Sequence, residues 1–389
     1  MKYPGSLLVP LLLLFSSTMA SVAPQTIAYV GTYTGAKSQG IYAFRVDEAA
    51  KDGPTFTPLG LAAATPSPSF LVIDSARRLV FAVNETGTFN GQVTGSVSAF
   101  SADPVTGKLT LINQQPSMGT SPCHLTLDPT GRFLLVANYS SGSVAVLPVA
   151  ADGRLGTPTD TIQYHLANPP GGRQEGPHAH SVVFDPAGRY VFVCDLGADK
   201  VYAYSLDVAT GRLVPAPAPA TLLQPGSGPR HIAFRPDGKF AYVINELACT
   251  VQAFDYDAAT GRLGVIGKAA TVSTLPADFK GHSTCAEVVV DASGCWLYAS
   301  NRGHDSVAQF ALDPASGLPR YLDTQATGGK TPRHFAILPS DKNLVVANQD
   351  SGTLRFCHID GATGRLQPAG ETISVGAPVY VGFLLAGKK

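Results

Sequence analysis

The 389-residue chain is 44% hydrophobic and only 14% charged, which excludes a chain too polar to build a core. Its 28 Lys and Arg balance its 28 Asp and Glu, so there is no global attraction to nucleic acid or an anionic membrane, although a local basic site stays open. Forty Gly and thirty Pro are spread along the whole length, as suits many short strands joined by many turns.

In chain order, the first element is a leader. Lys2 precedes an apolar run over residues 7–15, broken only by Pro10, and Thr18-Met19-Ala20 puts small residues at the two positions that signal peptidase reads. The run is too short to span a bilayer and does not alternate as a half-buried strand does. A signal peptide of residues 1–20 is expected, cut before Ser21. That leaves residues 21–389 as one domain, periplasmic or secreted, with no membrane anchor and expected to be a monomer. Of the six Cys (123, 194, 249, 285, 295 and 357), most lie in apolar strand-like segments. There a free thiol acts as a small hydrophobe, so no essential disulfide framework is expected.

Next comes a repeat. A looser copy runs from Ser69-Phe70 to Asn84-Glu85. Pro122-Cys123-His124 leads through Asp128-Pro129-Thr130-Gly131 to Asn138-Tyr139, and His180-Ser181 leads through Asp185-Pro186-Ala187-Gly188 to Asp195-Leu196. Pro229-Arg230-His231 leads through Arg235-Pro236-Asp237-Gly238 to Asn245-Glu246. Ala286-Glu287 leads through Asp291-Ala292-Ser293-Gly294 to Asn301-Arg302, and Pro332-Arg333-His334 leads to Asn348-Gln349. The closing residues 84, 138, 195, 245, 301 and 348 recur every 47 to 57 residues, a period that means a propeller or another repeat array.

Each unit reads as two strands around a Pro/Asp/Gly turn, a third strand, a second turn such as Ala259-Thr260-Gly261-Arg262-Leu263, and a fourth strand. No long apolar pattern at helical spacing follows the leader. A seventh unit is split between the ends: Tyr29-Val30-Gly31-Thr32-Tyr33 reads as a second strand lacking a first, and Pro378-Val379-Tyr380-Val381 as a first strand lacking a second. The expected fold is all-β, a seven-bladed β-propeller of four-stranded antiparallel blades. Pairing the N- and C-terminal strands closes it and leaves no open edge.

The topology also locates a site. In an antiparallel pair, the start of the first strand and the end of the second share one end of the sheet. With first strands innermost, one ring of rim positions reads Ser69, Cys123, His180, Arg230, Ala286, Arg333 and Val379. The next reads Phe70, His124, Ser181, His231, Glu287, His334 and Tyr380. The strand ends add Glu85, Tyr139, Leu196, Glu246, Arg302, Gln349 and Thr32. Polar residues lining a wet channel can simply satisfy one another. Five His (124, 180, 231 and 334, with His178 two residues before His180), three Arg and three Glu at one solvated mouth argue instead for a small-molecule site that holds anions by Arg and moves protons with His or Glu.

The segments Gly176-Pro177-His178-Ala179-His180-Ser181, Gly228-Pro229-Arg230-His231, Asn245-Glu246-Leu247, Ser300-Asn301-Arg302-Gly303-His304 and Thr331-Pro332-Arg333 resemble the signature stretches of the seven-bladed lactonase family. That family includes lactone hydrolases of the 6-phosphogluconolactonase type and a lactone-forming carboxy-cis,cis-muconate cyclase. The likeness extends from residue 26 to about 385. It implies a catalytic set of His180 (or its neighbour His178), Glu246, Arg230 and Arg302, and no obligatory metal or organic cofactor. The remaining rim residues His178, His124, His231, Glu287, Arg333, His334, Asn245, Asn301 and Gln349 are expected to contact substrate.

Opening a lactone needs a base for water, donors for the oxyanion and a proton for the departing ring oxygen. Glu246 or His180 fits as base or acid, and Arg230 and Arg302 as grips on a carboxylate, phosphate or oxyanion. His178 and His180 share a strand face, but no further ligand motif of matching spacing accompanies them, so no metal is expected. The expected activity is hydrolysis of a lactone, the partner a small-molecule lactone or carboxylate. Export would favour a sugar or organic-acid lactone other than the phosphorylated one. A lactone-forming cycloisomerase and a non-catalytic interaction platform are the alternatives.

Overall fold

A computed structural model of the chain describes Met1 and residues 25–50, 53–267 and 270–385. The expected signal peptide lies outside the described residues, apart from Met1. The described residues form seven antiparallel sheets. Blade I begins with Leu71–Asp74, blade II with Pro122–Leu127, blade III with Ala179–Phe184, blade IV with Pro229–Phe234, blade V with Thr284–Val290, blade VI with Pro332–Ile337 and blade VII with Pro378–Leu384. Each of these first strands packs against its counterpart in the next blade, round to closure, so they are innermost and line one channel.

Blade VII joins the chain ends as expected. Ile27–Thr32 pairs antiparallel with Pro378–Leu384, and Gly40–Asp47 and Thr55–Ala64 complete the sheet. Blade IV departs from regularity at its outer edge, where Arg262–Val265 and Thr271–Ser273 share the fourth position along Thr250–Asp257.

Local chemistry explains the repeat. In the first turn the Asp side chain replaces missing strand partners: Asp128 Oδ1 accepts from the N–H groups of Arg132 (2.7 Å) and Phe133 (2.6 Å). Asp185 repeats this with Arg189 and Tyr190. The glycine of the second turn serves another purpose. Gly317 and Gly364 have φ near +70°, and a Cβ there would fall 2.2 Å from Phe240 and 2.4 Å from Trp296 of the preceding blade. Backbone conformation and close blade packing therefore both demand glycine.

Second strands such as Phe240–Asn245 are buried at every residue, because a neighbouring blade covers each face. Outer strands such as Arg212–Leu222 are mostly exposed. The apolar clusters lie between blades; one joins Phe240, Tyr242 and Ile244 of blade IV to Leu297 and Phe310 of blade V. Five of the six cysteines are buried and Cys295 is exposed.

Candidate active site

An ideal strand sends neighbouring side chains to opposite faces, so Arg230 and His231 should not both face the channel. A bulge resolves this. Pro229 pairs with Asn245 and His231 with Ile244, leaving Arg230 as the extra residue. The same slip isolates Cys123, His180 and Arg333 in blades II, III and VI, and Val379 in blade VII. In blade V, Ala286 and Glu287 fall within it. A bulge re-aims one side chain without ending the strand, and here it lets Arg230 with His231, and Arg333 with His334, border the same space.

The upper tier of this channel is a cavity of about 320 Å³ lined by Tyr33, Glu85, Cys123, Tyr139, Arg173, His180, Glu246, Arg302 and Arg333. Glu246, 1% exposed, is its centre. Oε1 accepts a hydrogen bond from Arg173 Nη2 at 2.7 Å. Oε2 forms ion pairs with Arg302 Nη2 at 2.9 Å and Arg230 Nε at 3.2 Å, and His180 Nε2 stands 3.9 Å away. Burial pushes the Glu246 pKa up, but the guanidiniums of Arg302, Arg230 and Arg173 outweigh it and hold it at about 2. Burial, then Arg230, drives the His180 pKa well below its usual value, so the imidazole is neutral. Arg302 also donates to the Cys285 carbonyl at 2.6 Å. Arg333 has no hydrogen-bond or ion-pair partner among the described residues; its guanidinium lies 5.3 Å from the Tyr33 ring centroid.

The lower tier is imidazole-rich. His231 Nδ1 lies 2.9 Å from Glu287 Oε1, and His334 Nε2 lies 3.6 Å from Oε2. His124 packs on Phe70 with ring centroids 4.1 Å apart, and Tyr380 on His334 at 4.6 Å. Arg230, 3% exposed, joins the tiers, with Nη1 3.1 Å from His231 Nε2.

A family model described as lactonase, 7-bladed beta-propeller, matches residues 27–383. The chain belongs to the seven-bladed lactonase family. It is 38% identical over 358 residues to a 6-phosphogluconolactonase of Bacillus subtilis, covering 92% of this chain and 98% of that protein. It is 30% identical over 363 residues to one of Formosa agariphila, covering 89% and 96%. Among solved structures, the periplasmic gluconolactonase of Pseudomonas aeruginosa superposes with a TM-score of 0.85 at 37% identity, covering 93% of this chain and 99% of that one.

Within this lactonase fold the four residues of the implied catalytic set meet around one carboxylate: His180, Arg230 and Arg302 all approach Glu246. His178 stands apart, with Nδ1 donating to the Tyr139 carbonyl at 3.0 Å and its ring stacked on Tyr139. His124, His231, Glu287 and His334 occupy the lower tier. Asn245 and Asn301 are buried outside the cavity lining and hold the third strand: Asn245 Nδ2 donates to Thr250 Oγ1, and Asn301 Nδ2 to Ser306 Oγ and the Thr274 carbonyl. Gln349 donates to Asp350 and does not line the cavity.

The rim position assigned to Thr32 belongs to Tyr33. Tyr33 N–H donates to the Ala377 carbonyl as Glu246 N–H does to that of Gly228. Thr32 is fully buried and donates to the Gly40 carbonyl. The mouth is also drier than expected at Glu246 and Arg230. Arg173 was invisible to the repeat because it sits in the link between blades II and III, on a tight reversal where Gly171 bridges Gln174. Its Nη2 reaches Glu246 and the Tyr139 hydroxyl, and nothing in the local sequence signals that span.

Proposed function

We propose that this protein hydrolyses the lactone ring of a sugar acid, with His180 as the proton-transfer group and Arg230 and Arg302 as oxyanion donors. The observation that carries the reading is a neutral His beside a carboxylate held ionised by three guanidiniums, at the wall of a small cavity. The same activity is named for the Bacillus relative.

With a pKa of about 2, Glu246 carries no proton to donate at neutral pH and is a weak base. Its work is to orient the guanidiniums and favour a transient imidazolium. His180 takes a proton from water as the water oxygen bonds to the ring carbonyl carbon. The carbonyl oxygen becomes an oxyanion, which accepts hydrogen bonds from the Arg side chains. The ring C–O bond then breaks, and the departing oxygen takes the proton back from His180. The products are a hydroxyl and a carboxylic acid that ionises.

The lining supports a substrate with an anionic arm. Arg173, Arg302 and Arg333 line the cavity, with Arg230 just beneath, against Glu85 and Glu246, and among the described residues Arg333 is the one with no hydrogen-bond or ion-pair partner. A phosphate or carboxylate fits that surplus, which places 6-phosphogluconolactone first. The second reading, an exported enzyme for unphosphorylated gluconolactone, is favoured by the leader-like residues 1–20 and by the periplasmic gluconolactonase likeness.

A lactone panel containing both compounds, with N-terminal sequencing of the recovered protein, tests both. Turnover of 6-phosphogluconolactone that falls about a hundredfold in Arg333→Gln, with the neutral lactone unaffected, supports the first reading. Preference for the neutral lactone, with Ser21 as the N-terminus, supports the second. No ring opening by a folded protein refutes hydrolysis.

A further inference from the structure

We propose that His231 and Glu287 are positioning residues that set the donor geometry of Arg230 for ring opening, through an inverted imidazole tautomer. The role of Arg230 in that step rests on the hydrolase reading above.

A guanidinium has five N–H donors and no acceptor. Arg230 Nη1 lies 3.1 Å from His231 Nε2, so that nitrogen must present a lone pair. A neutral imidazole carries one N–H, and in His231 it is left on Nδ1, which donates to Glu287 Oε1 at 2.9 Å. The Val288 N–H donates to the same oxygen at 3.1 Å. The neighbouring imidazoles are arranged the other way. Val381 N–H donates to His334 Nδ1 at 3.3 Å, and Val182 N–H to His124 Nδ1 at 3.4 Å. In both rings Nδ1 must be bare, the proton sits on Nε2, and His334 aims that N–H at Glu287 Oε2, 3.6 Å away.

Three imidazoles of one ring of positions therefore hold two tautomers, and the one touching Arg230 is inverted. Burial keeps all three neutral. The guanidinium is fixed on three sides: by His231 Nε2, by the Ala286 carbonyl at 2.6 Å from Nη1, and by Glu246 Oε2 at 3.2 Å from Nε. Glu287 touches neither the upper cavity nor Arg230 directly. It acts through His231 by fixing which nitrogen keeps the lone pair.

The test joins a spectroscopic arm and a kinetic arm. Nitrogen-15 NMR of histidine-labelled protein at pH 7, assigned with His231→Gln and His334→Gln, should show His231 protonated on Nδ1 and His124 and His334 on Nε2. A proton on His231 Nε2 overturns the proposal. Glu287→Gln keeps shape but removes the charge that selects the tautomer. It should mix the His231 tautomers and lower kcat about tenfold or more, with KM within about twofold.

Arg230→Lys should also lower kcat, and the double variant should be no slower than Arg230→Lys alone, because both changes act through one group. An unchanged kcat in Glu287→Gln, or a loss that tracks melting temperature with the tautomer intact, overturns the positioning role. A wild-type protein that opens no lactone refutes only the hydrolase reading, since the tautomer pattern still decides whether His231 and Glu287 hold Arg230.

Discussion

Glu246 and Glu287 are buried carboxylates in one channel, a tier apart, with opposite company. Glu246 sits among three guanidiniums, and Glu287 between two imidazoles. Guanidiniums stay charged at any working pH, so the upper carboxylate stays ionised down to about pH 2 and the cavity above it keeps unfilled donors. Imidazoles change charge near neutrality, and here burial holds them neutral, with tautomers set by backbone N–H groups at His124 and His334 and by Arg230 and Glu287 together at His231. On the proposed reading, the upper tier acts on charge and the lower tier holds shape. The difference comes from neighbours, not from the carboxylates themselves.

Replacing the upper carboxylate should have the largest effect. Glu246→Gln leaves three arginines facing a neutral amide, so lactone turnover should fall by about a hundredfold or more, read by steady-state kinetics. Because Glu246 is buried rather than solvated, thermal melts should also show a loss of about 3 kcal/mol. An equally active, equally stable variant would erase the contrast between the tiers. Arg302→Lys should come next. It keeps the charge but loses the planar guanidinium, whose Nη2 meets both Glu246 and the Cys285 carbonyl while its other N–H groups stay available to substrate, so KM should rise about tenfold.

Acid destabilises through both tiers with the same sign, but in different windows. His334 has a folded pKa of about 4 against an ordinary 6.5, so the unfolded chain binds its proton first as pH falls. That stabilising contribution is complete above about pH 6.5 and is lost as pH drops toward 4. Glu246, at about 2 against 4.5, contributes fully above about pH 4.5 and loses its contribution as pH falls through about 2. Urea unfolding across this range should show His334→Gln reducing the slope in the upper window, which His124, His180 and His231 share, and Glu246→Gln reducing it in the lower. One shared window would contradict the assignment.

Arg173→Ala should have the smallest effect. Its side chain is 53% exposed and adds a third grip to a carboxylate already held twice, so KM should change only a few-fold, with stability within about 0.5 kcal/mol of wild type.

The repeat was legible because its turns are local chemistry: Asp128, Gly131 and their counterparts satisfy nearby backbone groups wherever the chain places them. The convergence on Glu246 was legible from strand direction alone, since the end of Phe240–Asn245 and the start of Pro229–Phe234 share a rim. Less legible was which rim residues face the channel. Asn245 and Asn301 lie beside the site in sequence, yet turn to their own third strands, because successive side chains alternate and the next residue, Glu246 or Arg302, takes the cavity side. In blade VII the register differs by one residue from that expected, since Thr32 stands where the other blades carry the Asn or Asp that marks the position.

Sequence by itself determined the seven repeats, the closure through Ile27–Thr32 and Pro378–Leu384, and the face on which His180, Arg230, Glu246 and Arg302 gather. These follow from turn chemistry and strand periodicity, which act over a few residues. Only the tertiary structure decided that bulges turn paired residues such as Arg230 and His231 to one side, and that Arg173 crosses 73 positions of chain to reach Glu246. It alone set Glu246 among guanidiniums and Glu287 among imidazoles. Burial and charge are sums over neighbours from different blades, and a linear pattern holds no record of those sums.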